Sequence, residues 1–142
     1  MVKVSCLNCG ATNNYPEDAA GKRVVCGRCK SSLPQPGTVI ELNFEQASRF
    51  LPSAGLPILI DFYSPTCAPC QMMHPVVESL ARRRAGEMMV VRISIDLNPQ
   101  IAAQFGIQAV PTFLILHKGR ERGRTAGALP EADFAFWVAS RI

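Results

Sequence analysis

Residues 61–70 read DFYSPTCAPC and connect a predicted strand to a predicted helix. The continuous apolar run over 57–63 is typical of a strand that is buried on both faces. The segment that begins near Ala68 has helical spacing, and Pro69 suits the first turn of a helix, where its missing N–H costs nothing. Cys67 and Cys70 therefore open a helix directly after a buried strand, and this arrangement predicts a redox dithiol.

The predicted helix N-terminus also suggests how the dithiol reacts. Unpaired N–H groups and the partial positive charge of the helix dipole favour the thiolate form of Cys67, which is the nucleophile. Pro69 stiffens the loop and so holds the two sulfurs within bonding distance. Asp61 interrupts the apolar strand, where burial is expected to raise its pKa, so its carboxyl could exchange protons near neutral pH.

The four other cysteines lie in polar, turn-rich sequence and form two further C-x-x-C pairs. A two-residue turn brings both sulfurs onto one edge of a metal site, and two such turns complete a tetrahedron. The spacing predicts a four-thiolate zinc ribbon or knuckle, with two disulfides or an iron-bearing site as alternatives. The predicted ligands are Cys6, Cys9, Cys26 and Cys29.

Composition divides the chain into two predicted domains. Residues 1–33 carry few large apolar groups, so a bound metal would have to supply their folding energy. Gly10 and Gly27 are expected to adopt the positive φ angles that metal-binding turns need. Residues 34–37 are predicted to be a linker, and residues 38–142 are long enough for a compact α/β domain.

Strands and helices alternate after the linker, and a terminal hairpin and helix complete the pattern. We predict a mixed sheet with helices on both faces. Asn98 is expected to cap the third helix. The predicted strands are 38–42, 57–63, 89–95, 112–117 and 121–125, and the predicted helices are 44–51, 68–85, 99–105 and one that begins at Pro130.

Composition also excludes several classes of protein. The 142 residues are 48% hydrophobic, which is too apolar for a disordered chain. The sequence contains neither a membrane-length apolar run nor a secretory signal, so we expect a cytoplasmic protein without a membrane partner. In a reducing compartment, six cysteines favour metal binding or catalysis over a disulfide scaffold. A net charge of +4 does not by itself indicate a nucleic-acid partner.

Residues 61–70 resemble the active-site segment of the thioredoxin family, and residues 110–112 resemble its cis-proline loop. The four-cysteine segment makes the chain similar to the zinc-bearing thioredoxin 2 subfamily. This resemblance implies a thioredoxin fold and a redox-active Cys67–Cys70 disulfide. It also implies disulfide-containing protein substrates and an NADPH-dependent thioredoxin reductase as the electron donor.

In this interpretation Cys67 attacks the target disulfide, Cys70 resolves the mixed disulfide, and Asp61 accepts the proton of Cys70. Pro111 is predicted to be cis, and its loop is expected to pair with an extended substrate segment. The predicted substrate-binding residues are Thr66, Val110, Pro111 and Thr112. Thr66 and Ala68 depart from the family pattern, which has tryptophan and glycine at these positions.

Some residues leave alternatives open. His74 could complete a second metal site with the dithiol, tune Cys70, or only fill a half-buried position. Arg92 stands where the family usually has a lysine, and its permanent charge would favour the ionised form of Asp61. Trp137 is interpreted as core packing.

Two competing functions remain open at this stage. The first is a zinc-ribbon module that binds protein or nucleic acid, in which the second domain serves as a redox-regulated scaffold. Nucleic acid is not expected, because Tyr15 is the only aromatic residue before the linker. The second is a metal or iron–sulfur carrier that uses Cys67 and Cys70 across a dimer.

Overall fold

The computed structural model describes residues 2–16, 23–35 and 37–142. Met1 and residues 17–22 of the predicted zinc ribbon lie outside the described residues, and so does Pro36 of the predicted linker. Among the described residues, every helix is too short or too polar to cross a lipid bilayer.

The described residues form a small N-terminal hairpin and a larger mixed sheet. The hairpin pairs β1 (Val2–Ser5) with β2 (Thr12–Tyr15) in antiparallel fashion. The larger sheet has the described strands in the order β3-β5-β4-β6-β7, in which β3, β5 and β4 are parallel and β6 and β7 are antiparallel to their neighbours. Their bounds are β3 Val39–Glu41, β4 Ile58–Tyr63, β5 Met89–Ser94, β6 Thr112–His117 and β7 Arg120–Ala126.

Helices cover both faces of the larger sheet, as predicted. On one face α1 (Phe44–Ser53) and α3 (Pro99–Phe105) pack on alternate residues of the strands, among them Ile60 and Phe62. On the other face α2 (Ala68–Arg83) and α4 (Glu131–Ala139) pack on the intervening residues, such as Leu59. All six residues of β4 are buried, so the strand that leads to the dithiol lies at the centre of the core.

The N-terminal hairpin packs against α1. The Gly55 N–H donates to the Lys3 carbonyl at 3.0 Å, and the Ser5 hydroxyl donates to the Ser53 hydroxyl at 2.6 Å. Val4 is fully buried in the same cluster as Phe50 of α1. Residues from both sides of the predicted linker therefore share one hydrophobic core.

Two local predictions were wrong in detail. Helix α1 does not stop at Leu51, because Pro52 lies in its last turn and the Ala54 N–H still donates to the Phe50 carbonyl at 3.2 Å. Asn98 stands at the N-cap of α3 but makes no side-chain cap there. Its Oδ1 instead accepts the Phe44 N–H at 2.9 Å, so the side chain satisfies the first turn of α1.

Candidate redox site and metal site

Cys67 and Cys70 form a disulfide at the N-terminus of α2. Cys67 is the N-cap residue, and its Sγ accepts the backbone N–H of Cys70 at 3.2 Å. Cys67 is half-buried, whereas Cys70 is 2% exposed. The Cys67 sulfur is thus the more accessible of the two, and the helix N-terminus stabilises negative charge on it.

Hydrogen bonds hold the loop before the dithiol in place. The Ser64 hydroxyl donates to Asp96 Oδ2 at 2.7 Å, and the Gln71 amide donates to the Pro65 carbonyl at 2.9 Å. Thr66 and Pro69 are exposed beside the disulfide. The sequence analysis did not predict the hydrogen bond from Ser64 to Asp96. This bond forms because the ends of β4 and β5 are adjacent in the sheet.

The loop before β6 lies against the dithiol. The peptide bond between Val110 and Pro111 is cis, as predicted. The Val110 carbonyl oxygen lies 3.7 Å from Cys67 Sγ, and Val110 is half-buried. Thr112 is buried and its hydroxyl donates to the Ala109 carbonyl at 2.6 Å, so its side chain supports the loop from inside.

Asp61 is buried in the middle of β4. It pairs with Arg92 of β5 and Phe113 of β6, and it is 1% exposed. Burial raises the pKa of Asp61 from 3.8 to about 7, although Arg92 lowers it and Glu41 raises it. Arg92 favours the ionised form of Asp61, as expected, but desolvation outweighs the attraction of the guanidinium.

The four N-terminal cysteines converge on one point. Their sulfurs lie within 4.8 Å of one another, with Cys6 and Cys29 3.6 Å apart and Cys9 and Cys26 3.7 Å apart. A tetrahedron with sulfurs about 2.3 Å from a central zinc ion has edges of about 3.8 Å. The described sulfurs are therefore already spaced to hold one such ion.

Donors point at the cysteine sulfurs. The Asn13 amide and the Arg28 N–H approach Cys26 Sγ at 3.5 and 3.4 Å, and the Asn8 amide approaches Cys29 Sγ at 3.6 Å. Hydrogen bonds lower the pKa of Cys29 to about 5, with the Ser31 hydroxyl as the largest cause. A backbone hydrogen bond from Cys29 and the Asn13 amide likewise lower the pKa of Cys26 to about 7. A hydrogen bond from the Ala11 backbone lowers the pKa of Cys9, but burial and the neighbouring sulfurs outweigh it and raise this pKa to about 11. The donors therefore favour the metal-binding thiolate form at Cys26 and Cys29. The asparagines were missed, since nothing in their spacing marks them as donors to sulfur.

The two cysteine turns have the same backbone path. The N–H of Gly10 donates to the Cys6 carbonyl at 2.9 Å, and the N–H of Lys30 donates to the Cys26 carbonyl at 3.0 Å. Gly10 has the predicted positive φ of 79°. The prediction for Gly27 was wrong, because the equivalent position in the second turn is Lys30, with a φ of 67°.

Within the part of the chain that the structure describes, His74 belongs to no group of three or more possible metal ligands. Its Nε2 lies 3.1 Å from Glu78 Oε1, one turn further along α2. Among the described residues, the four cysteines are the only group of three or more possible ligands close enough to share an ion. Trp137 is half-buried and stacks on Phe134 at 6.3 Å between ring centroids, in keeping with a packing role.

Comparison with known proteins agrees with this geometry. The thioredoxin family model matches residues 35–140. The chain belongs to the thioredoxin family. It is 32% identical to thioredoxin C-3 of Corynebacterium nephridii over 139 residues, which cover 98% of this chain and 94% of that protein. It is 34% identical to thioredoxin of Haemophilus influenzae over 104 residues, which cover 73% of this chain and 97% of that one.

A solved structure supports the same fold. A point mutant of thioredoxin from Halobacterium salinarum superposes with a TM-score of 0.67 at 28% sequence identity. The match covers 75% of this chain and 93% of the archaeal one. This member of the thioredoxin family is accordingly a thiol–disulfide oxidoreductase, with a redox-active disulfide between Cys67 and Cys70.

Proposed function

We propose that this thioredoxin is a protein-disulfide reductase of the thioredoxin 2 type. Residues 38–142 carry the redox reaction, residues 1–33 form a zinc ribbon, and residues 34–37 link the two. One observation carries the proposal. Cys67 caps α2 through its own sulfur, beside the carbonyl of Val110.

The reaction proceeds by two exchanges. The Cys67 thiolate attacks a sulfur of the target disulfide, so that a Cys67–target bond forms and the other target sulfur leaves as a thiolate. Asp61 accepts the proton of Cys70, whose thiolate then attacks Cys67 and releases the second target sulfur. The products are a reduced target and the Cys67–Cys70 disulfide, which an NADPH-dependent thioredoxin reductase reduces again.

The target binds as an extended segment along the loop before β6. Val110 and Pro111 contribute backbone groups beside the dithiol, and Thr66 and Pro69 form exposed surface on its other side. Thr112 acts from within, since its hydroxyl holds the Ala109 carbonyl. Thr66 offers less apolar surface than the tryptophan of its relatives, so we expect weaker docking of aromatic targets.

Cys6, Cys9, Cys26 and Cys29 hold a structural zinc ion in this proposal. The sulfur spacing and the donors aimed at the sulfurs support this assignment. The ion supplies folding energy to the N-terminal residues and no redox chemistry.

Reduction of insulin disulfides by dithiothreitol tests the enzyme. We expect the wild-type protein to accelerate insulin precipitation and Cys67→Ser to abolish the acceleration. Cys29→Ser, which alters only the metal site, is the matched control and should retain activity in the folded fraction. An inert wild-type protein would refute the proposed function.

Metal analysis with thiol counting tests the N-terminal assignment. The oxidised protein purified without chelator should contain one zinc ion per chain. Removal of the ion should expose four titratable thiols, because the redox pair remains closed. A protein without metal and without titratable thiols would show that the four cysteines form two disulfides instead.

A further inference from the structure

Three charged residues lie side by side across the sheet. Glu41 of β3 pairs with Arg92 of β5, which in turn pairs with Asp61 of β4. Directly paired residues of neighbouring strands project from the same face of a sheet. A guanidinium next to a buried carboxylate would ordinarily form an ion pair with it.

Arg92 is held elsewhere. Its guanidinium carbon lies 3.7 Å from the centre of the Tyr63 ring, and its buried Nε lies 3.9 Å from Glu41 Oε1, which is an ion-pair distance without a hydrogen bond. The same Glu41 oxygen accepts the Tyr63 hydroxyl at 2.7 Å, which closes a three-residue cluster. In the described part of the chain, Asp61 forms no ion pair with Arg92, and Asp61 Oδ1 is buried without a hydrogen-bond partner.

We propose that Glu41 is a positioning residue that holds Arg92 over Tyr63 and away from Asp61, so that the Asp61 carboxyl stays able to take up a proton. Arg92 would otherwise be free to turn along the sheet and pair with Asp61, which would keep that carboxylate charged and make it a poor proton acceptor. Glu41 is 54% exposed, so its own charge is stabilised by water at little cost.

The surroundings leave Arg92 room to move. Glu41 and Arg92 line a surface cleft of about 540 Å³. Strand register places Glu41 of β3, Arg92 of β5 and Tyr63 of β4 on the Asp61 face of the sheet, together with the apolar Phe113 of β6. The cleft that Glu41 and Arg92 line is also lined by titratable or charged residues of α2, namely His74, Glu78 and Arg82. Arg92 is the cation that lies directly beside Asp61 in the strand register, so the direction of its side chain affects the charge on that carboxyl.

The pKa of Asp61 can be read directly by carbon NMR of its carboxyl in the oxidised full-length protein. We expect Glu41→Gln to lower this pKa by about one unit, because Arg92 turns toward Asp61. Tyr63→Phe keeps the ring but removes the hydroxyl, and should lower the pKa by a smaller amount. Glu87→Gln removes an equal charge beyond the other end of α2 and should leave the Asp61 pKa unchanged.

An Arg92→Met background separates positioning from simple repulsion between Glu41 and Asp61. If Glu41 acts by holding Arg92, Glu41→Gln should shift the Asp61 pKa much less in this background than in the wild type. Equal shifts in both backgrounds, or no shift in the wild type, would overturn the proposal. Circular dichroism shows whether each variant folds. If Glu41→Gln does not fold, the shift of the Asp61 pKa in Tyr63→Phe tests the proposal instead.

The positioning role of Glu41 matters for catalysis only if Asp61 is the proton acceptor of the proposed function. Separate experiments test these two roles. If Asp61 is the proton acceptor, Asp61→Asn should slow resolution of a mixed disulfide at pH 7, and Glu41→Gln should move the inflection of the rate profile to lower pH. If Asp61→Asn leaves the rate unchanged, the proposed role of Asp61 is wrong. The NMR titrations would still decide whether Glu41 positions Arg92.

Discussion

Asp61 shows how a single residue can cost stability at a functional site. It is the charged member of a strand whose six residues are all buried, and burial raises its pKa to about 7. Between pH 4 and pH 7 the folded protein therefore binds a proton that the unfolded chain releases. Protonation of Asp61 therefore contributes to the free energy of unfolding. This contribution is fully present below the unfolded pKa of 3.8 and is lost as pH rises through about 7.

Asp61→Asn removes this pH dependence, because an amide does not titrate. We expect the variant to be more stable than the wild type at pH 8, by up to about 4 kcal/mol, and the advantage to vanish near pH 4. Urea denaturation of the oxidised proteins at both pH values measures the difference. A constant difference across this range would show that Asp61 does not titrate with a raised pKa.

Asn98 connects three secondary-structure elements, which are α1, β5 and α3. Its Oδ1 accepts the first N–H of α1, and its Nδ2 donates to the Ser94 carbonyl at the end of β5 at 3.0 Å. The residue itself is the N-cap of α3. The loop after β5 is therefore tied to the start of α1, on the side of the sheet where Ser64 is bonded to Asp96.

Asn98→Ala should destabilise the protein by about 1–2 kcal/mol, because it removes the side-chain acceptor of the Phe44 N–H and one of the two hydrogen bonds to the Ser94 carbonyl. Urea denaturation measures the change. Asn14→Ala, at an exposed position of β2, is the control and should cost less than about 0.5 kcal/mol. Equal costs for the two variants would contradict the bridging role of Asn98.

At the scale of the molecule, one of the two core clusters formed by the described residues includes N-terminal residues. Val2, Val4 and Leu33 are buried in the cluster that also contains Phe50 of α1. The sequence suggested that residues 1–33 depend on metal alone, because their few apolar groups cannot form a core by themselves. In the structure α1 supplies apolar surface against which Val2, Val4 and Leu33 pack, so packing stabilises the described N-terminal residues in addition to the metal proposed above.

Val4→Ala should therefore destabilise the entire protein, by about 2 kcal/mol, in a single unfolding transition. Val25→Ala is the matched control, since Val25 is 40% exposed in the same N-terminal part and its truncation should cost little. Thermal unfolding followed by circular dichroism checks both. A separate early transition, with the main transition unchanged, would show that the two parts unfold independently.

Local sequence determined much of this protein. The apolar run ending at Tyr63, followed by Cys67 and Cys70 at a helix start, depends on hydrophobicity, turn length and helix capping, which act between near neighbours. The paired C-x-x-C turns are local in the same sense. Those properties were enough to predict the mixed sheet, the dithiol and the four-sulfur site.

Only the tertiary structure decided which distant residues contact one another. Glu41, Tyr63 and Arg92 lie on three different strands, and their cluster exists because β3, β5 and β4 are adjacent in one register. Asn98 accepts the first N–H of a helix that begins 54 residues earlier in the chain. Strand order and register bring distant residues together, and because they depend on the free energy of the whole core, no local pattern encodes them.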